Sequence, residues 1–288
     1  MNLSSIPFDT LIHIQTFLDV EDVVSLRQCC KSISMSTRER TLWMTLLRRR
    51  LSRNGVLLST FPMAELSLAL LEHFVTLPER FLARIKSRID RGYSTWQPDA
   101  TRILERHHPH ISKWDPAMLG SFESLKLLPG GRFMVTATNN SIIELWDLGY
   151  NPSSILPHQP LAYLRVQERL VLTDSTEIQP LTHVMDDSSG FLLFFHSEDD
   201  ENFHFDMYSM HPLSPTPGFL HIGRCSERIE GVVDAMCLSN ELAAWAISNR
   251  IFFWNFRDDS CGEILFGGNC QKVSILIFDV TVISVETS

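Results

Sequence analysis

The chain has 288 residues, 44% of them apolar and 20% charged. This composition excludes a collagen, a fibre, a largely disordered chain and a disulfide-stapled miniprotein, and the length suggests roughly two domains. The net charge of −9 is uneven: residues 1–120 carry 16 Lys and Arg against 12 Asp and Glu, and residues 121–288 carry 9 against 22. The acidic second half is a poor match for duplex nucleic acid. No uninterrupted apolar run reaches the roughly 18 residues of a membrane span, and Met1 to Thr10 has no basic segment ahead of an apolar one, so neither a membrane span nor a secretory leader is expected. The six cysteines (29, 30, 225, 237, 261 and 270) fall at no zinc spacing and are expected as reduced thiols, in the cytoplasm, the nucleus or both.

From Leu3 to Asp90 the chain is rich in Leu, Arg and Glu, and apolar residues recur at three and four, which favours helices. Pro7 suits a first helical turn, and Asp19 suits the cap of a second helix beginning Glu21-Asp22-Val23. Pro62 and Pro78 predict the starts of helices over 62–76 and 78–90. On the first helix, Phe8, Leu11, Ile12, Ile14, Phe17 and Leu18 spread over an arc of about 220°. A helix docked on its own core needs a stripe of roughly 100°. The second apolar side therefore needs a cover, supplied by later residues of this chain or by another protein.

Ile6-Pro7, Leu11, Ile14, Phe17-Leu18, Asp22-Val23, Leu26, Cys30-Lys31 and Leu42-Trp43 follow one another in a recognisable order and spacing. Residues 3–48 resemble the F-box family on these positions. Two residues depart from its pattern: Cys29 stands where Val is usual, and Ile33 where an aromatic is common. The resemblance implies a three-helix module that docks on the small adaptor subunit of a cullin-based ubiquitin ligase. Carried over position by position, it implies Ile6, Pro7, Leu11, Ile14, Leu18 and Val23 as adaptor-binding residues and Trp43 as internal. Which face of the first helix is interface and which is internal stays open here. A plain helical cap on the downstream domain is the alternative reading.

Past Phe122, short β-branched and aromatic runs alternate with Gly, Pro, Asn, Asp and Ser clusters, the pattern of antiparallel strands. Strands are expected at 125–128, 132–138 and 142–147, with turns at Pro129-Gly130-Gly131 and Asn139-Asn140-Ser141. This unit, ending in Trp146-Asp147, resembles one blade of a WD-repeat propeller. Ile251-Phe252-Phe253-Trp254-Asn255 resembles its third strand, with Trp254 108 positions after Trp146, or two steps of 54. A weaker copy is expected between them, over 190–195 and 203–209, with Tyr208 near the Trp position. The excess over a compact repeat of about 40–45 residues is expected in loops 149–160 and 197–202. At this step residues 122–288 make about three blades and a fragment, fewer than the 4–8 blades of a closed ring. Truncation of a longer chain is the favoured expectation over an open array, and with it poor behaviour of the isolated chain.

Signs of chemistry are few. His107-His108-Pro109-His110, with His73, reads as a connector rather than a metal site. Asp199-Asp200-Glu201 lacks the ligand alternation of a calcium loop and reads as a hairpin tip. Arg48-Arg49-Arg50 with Arg53, and Arg80, Arg84, Lys86, Arg88 and Arg91, read as solvated basic faces or as an interface to acidic groups. Cys29 and Cys30 are expected in the core. No catalytic motif is present, so no enzymatic activity, cofactor or metal is expected.

The expected fold is α+β and multidomain: an F-box at 1–50, a helical linker at 51–118, and an all-β, antiparallel, incomplete β-propeller-like domain at 119–288. The resemblances imply a substrate-receptor subunit whose partners are the ligase adaptor, through it a cullin, and an unidentified protein substrate. Neither nucleic acid nor membrane is expected as a partner. The alternative is a propeller-type interaction scaffold with no ligase link.

Overall fold

The computed structural model describes residues 6–92, 101–104, 120–151, 155–170, 180–228, 231–265, 273–278 and 281–286. The histidine run at 107–110 lies outside the described residues. The chain divides into two compact units: residues 1–54 with 61–102, and residues 55–60 with 103–288.

In the first unit, α1 (Phe8–Thr16), α2 (Val20–Leu26), α3 (Lys31–Ser36), α4 (Arg40–Arg53) and α5 (Leu68–Asp90) form a helical assembly. The central helix is α4, whose Leu42, Trp43, Leu46, Leu47 and Leu51 recur on one face and are all buried. Leu11, Val23, Ile33, Leu71 and Val75 close around them from the other four helices. Two buried donors in this core find acceptors within the module. Trp43 Nε1 donates to Thr37 O at 2.7 Å, and Gln15 Nε2 donates to Ser36 Oγ at 2.7 Å. Asp19 occupies the N-cap position of α2, but its side chain makes no capping bond.

The helix past residue 60 differs from expectation. A single helix, α5, runs through Pro78, and it starts at Ser67, whose Oγ accepts from Leu70 N. An internal proline costs roughly 3 kcal/mol. Here both halves are anchored: Leu71 and Val75 are buried before Pro78, and Glu79 just after it pairs with Arg50. Pro62 instead opens a turn, where Arg40 gathers the carbonyls of Met63 (2.7 Å), Ala64 (3.0 Å) and Leu66.

The second unit is antiparallel throughout its described strands. β1 (Phe122–Leu127), β2 (Phe133–Thr138), β3 (Ile142–Asp147) and β4 (Ala162–Arg165) form a four-stranded sheet in chain order. A second sheet joins β5 (Arg169–Leu170), β7 (Phe191–Glu198), β8 (Asn202–Met210) and β9 (Phe219–Arg228), with β6 (Leu181–Val184) also on β7. The third is four-stranded: β10 (Val233–Leu238), β11 (Leu242–Ile247), β12 (Arg250–Asn255) and β13 (Ser260–Leu265). β14 (Val273–Phe278) and β15 (Thr281–Glu286) pair as a hairpin. No closed barrel is present among the described residues.

The first and third sheets repeat each other in detail. Both carry a register break at the same place in their first strand, between Phe122 and Ser124 and between Val233 and Ala235. Both turn between second and third strands through a serine at positive φ, Ser141 at 57° and Ser248 at 55°. In both, the tryptophan pairs with the second residue of the preceding strand, Trp146 with Met134 and Trp254 with Ala243.

Packing follows the two-residue strand period. On β7, Phe191, Leu193 and Phe195 join Phe133, Val135, Ile143 and Leu145 of the first sheet in one core. Leu192 and Phe194, on the other face, join Trp245, Ile247, Phe252 and Trp254 of the third. The second sheet is thus sandwiched between its neighbours, as a blade is. Its apolar run at 191–195 is continuous because both faces are covered. The middle unit also departs from expectation at 197–202. Residues 199–201 are a tight turn, in which Asp199 accepts from Glu201 N (2.8 Å), Asn202 N (2.7 Å) and His204 Nε2 (2.9 Å). The extra residues lengthen strands β7 and β8 to 8 and 9 residues instead of forming a loop.

Candidate docking surface

The first helix retains uncovered apolar surface. Leu11 and Gln15 are buried, and the remaining apolar groups are not: Phe17 is 71% exposed, and Phe8 and Ile14 are each 42% exposed. Ile14 and Phe17 share one side of α1, and His13 packs edge-on against Phe17 at 5.0 Å. Met35 on α3 adds a further exposed apolar side chain at 61%.

The residues that the family resemblance implies as adaptor contacts separate on this scaffold. Leu11 and Val23 are closed inside the module, where they hold α1 and α2 to its core. Ile6 and Leu18 are half-buried, and Pro7 and Ile14 are exposed. Phe8, Phe17 and Met35 are surface groups absent from that set. Periodicity placed Phe8 and Phe17 on the apolar arc, but no signal in the sequence separated the covered part of the arc from the open part.

Arginines fasten the helices that carry this surface. Arg49 donates to Thr16 O (2.6 Å) and Leu18 O at the end of α1, and Arg50 donates to Val75 O and Glu79. Arg27 forms a two-pronged pair with Glu72 (2.7 and 3.0 Å), donates to Thr37 O, and lies 5.5 Å above the Trp43 ring. Arg49 and Arg50, read as part of a solvated basic face or of an interface to acidic groups, are fasteners within the helical unit, Arg49 on carbonyls and Arg50 on Glu79 and a carbonyl. Cys29 and Cys30 correct another expectation: both are exposed, because they fall in the turn from α2 and at the N-cap of α3.

In the second unit the Trp-Asp pair has a structural use. Trp146 is fully buried and its Nε1 donates to Thr136 Oγ1 at 3.2 Å. Asp147 accepts from Arg132 Nε (2.9 Å) and Nη2 (2.7 Å), and Arg132 Nη1 donates on to Ser59 O at 2.7 Å. The Gly-Gly-Arg turn thus ties segment 55–60 to the first sheet, where Leu57 is buried in the core. A Cβ at Gly130, at φ 94°, would come within 2.6 Å of Val56. Asp234 accepts from Ser248 N at 3.1 Å, and burial raises its carboxyl above the ordinary value. Both aspartates serve turns, and among the described residues no group of three or more His, Cys, Asp or Glu is placed to hold a metal.

A charged cluster escaped the sequence reading. The Asp206 carboxylate is completely buried and accepts from Arg224 Nε and Nη2, both at 2.9 Å. His221 Nε2 stands 3.2 Å from the same carboxylate, and the Tyr208 and His221 rings are 4.9 Å apart. Arg224 also grips Glu168 at 2.7 and 3.2 Å, which holds the Glu168 carboxyl below the ordinary value. Every charge here is matched, so the cluster reads as a bolt between β8, β9 and the segment before β5.

No family model matches the chain. No curated protein matches it either. Among solved structures, it is similar to U3-55K, at 15% identity and a TM-score of 0.35 over 60% of this chain and 44% of that one. It is also similar to the WD40 repeats of RRP9, at 14% identity and 0.35 over 60% and 43%. A third is the β-propeller domain of Cps50 (Swd1) from Myceliophteria thermophila, at 9% and 0.30 over 54% and 45%. The chain spans less than half the length of each. The blade-like architecture rests on the sheet pairing and packing described above. No described helix is long and apolar enough to cross a membrane.

Proposed function

We propose that the chain is a substrate receptor of an adaptor–cullin–F-box ubiquitin ligase, in which the N-terminal helices bind the adaptor and the sheets bind the protein to be modified. The observation that carries the reading is the uncovered apolar side of α1, Ile14 and Phe17, on a module whose residues 3–48 follow the F-box order. Burying one large apolar side chain is worth about 1.5–3 kcal/mol, so a few such groups support a stable contact. The receptor itself makes and breaks no bond. It raises the local concentration of substrate near a catalytic site on another subunit.

The test is co-purification of the full chain with the adaptor, comparing the natural sequence with Ile14→Asp plus Phe17→Asp. Because both positions are exposed, the variant keeps its helical signal. Capture by the natural chain and its loss in the variant support the reading. If the natural chain fails to capture the adaptor while its sheets still retain protein partners, the scaffold without a ligase link replaces it.

A further inference from the structure

Cys225 and Cys261 lie 36 positions apart on different sheets, β9 of the second and β13 of the third, yet their sulfurs are 3.5 Å from each other. The packing around them creates this approach. Cys261 is the register partner of Trp254, and Cys225 packs on the apolar cluster that contains Trp254. Two residues before Cys225, on the same face of β9, Gly223 sits so close to the indole that a Cβ would come within 2.8 Å of Trp254 Cζ2. Only a residue without a side chain lets β9 press onto the third sheet there. Among the described strands both are outermost in their sheets, each hydrogen-bonded to a described neighbour on one side, so small adjustments are cheap. A disulfide is about 2.05 Å long, and side-chain rotation closes a gap of this size.

We propose that Cys225 and Cys261 are an oxidation site, a thiol pair that a hydroperoxide converts to a disulfide stapling β9 to β13. Cys261 is exposed and meets the oxidant first. Its sulfur attacks the distal peroxide oxygen, the O–O bond breaks, and the alcohol or water leaves with the thiol proton, giving a sulfenic acid. The Cys225 sulfur then attacks the Cys261 sulfur. The S–S bond forms, the S–O bond breaks, and hydroxide departs as water with the Cys225 proton. One peroxide gains two electrons and the two thiols lose them. Burial, with the neighbouring Cys261, pushes the Cys225 thiol up to about 12, so the second step is the slow one and quickens with pH. A compartment that keeps thiols reduced makes such a bond transient, as a sensor requires. This inference does not depend on the ligase reading.

The experiment uses the full chain with Cys29→Ser and Cys30→Ser, which removes the two exposed thiols of the helical unit. It is treated with hydrogen peroxide, alkylated, and mapped as peptides without reduction. The expected result is a linked 225–261 peptide, formed faster at pH 9 than at pH 7. The melting midpoint of the sheet unit should rise by about 5–10 °C, reversibly with dithiothreitol. Cys261→Ser, an exposed substitution, abolishes both the peptide and the shift while the unoxidised melt is unchanged. Irreversible oxidation of Cys261 with Cys225 left free, pairing of either thiol with Cys237 or Cys270, or closure independent of pH overturns the proposal.

Discussion

Arg224 is the strongest single test of how the second sheet is held together. Replacing it with Ala removes both prongs from Asp206, whose carboxylate has no exposure, and frees Glu168 at the same time. Removing one partner of a buried pair costs about 3–5 kcal/mol, because the remaining charge is left in a poor solvent. Arg224 itself is one-third exposed, and His221 stays within 3.2 Å of the carboxylate, so the figure must be discounted to about 2–3 kcal/mol. For a unit of this size that corresponds to a midpoint lowered by about 5–10 °C. The assay is thermal or urea unfolding of the full chain followed by tryptophan fluorescence, since Trp245 and Trp254 lie buried in the adjoining core. Asp206→Asn combined with Arg224→Ala should recover a substantial part of the loss, because no buried charge remains. A single variant within about 0.5 kcal/mol of the natural chain, or a double variant no better than the single, refutes the reasoning.

Other outcomes follow from the same physics. His196 is buried with its imidazole pushed down from 6.5 to about 4, so it stays neutral when folded and takes up a proton when unfolded. Its effect on stability is therefore neutral above pH 6.5 and grows as pH falls from about 6.5 to about 4. His196→Phe should flatten the acid limb of a stability–pH curve over that window. Pro78→Ala restores a hydrogen-bond donor inside α5 and should stabilise the helical unit by about 1–3 kcal/mol in urea titrations; destabilisation would show that the ring makes a contact the helix needs. Arg132→Ala should release segment 55–60, read as faster amide exchange at Leu57 and Thr60 with the sheet core still protected. Gly223→Val should separate β9 from Trp254 and cost more than the same change at Gly218, where a Cβ meets nothing.

Local rules were legible in the sequence wherever one short stretch carries the whole signal. Apolar residues at three and four marked the first helices, and the turn at 129–131 with the strands around it was readable because Gly, Pro and period-two alternation act over a few residues. Trp146 and Trp254 disclosed the repeat for the same reason, since each closes an equivalent third strand. Tertiary packing decided everything in which distant residues compete for cover or for charge. The helix passes through Pro78 because burial on one side and Arg50 on the other outweigh the broken hydrogen bond. Arg49 looks solvent-bound in a run of three arginines, yet it faces carbonyls more than thirty residues away. The arc of α1 was visible in advance, but the choice of Leu11 for the inside and Phe17 for the outside belongs to the helices packed against it. Likewise no spacing rule joins Asp206 to Glu168 through Arg224, or Cys225 to Cys261. Arg224 meets Asp206 because β8 and β9 pair in register, and Cys225 meets Cys261 because the second and third sheets stack; pairing and stacking are properties of whole strands and faces rather than of neighbouring residues.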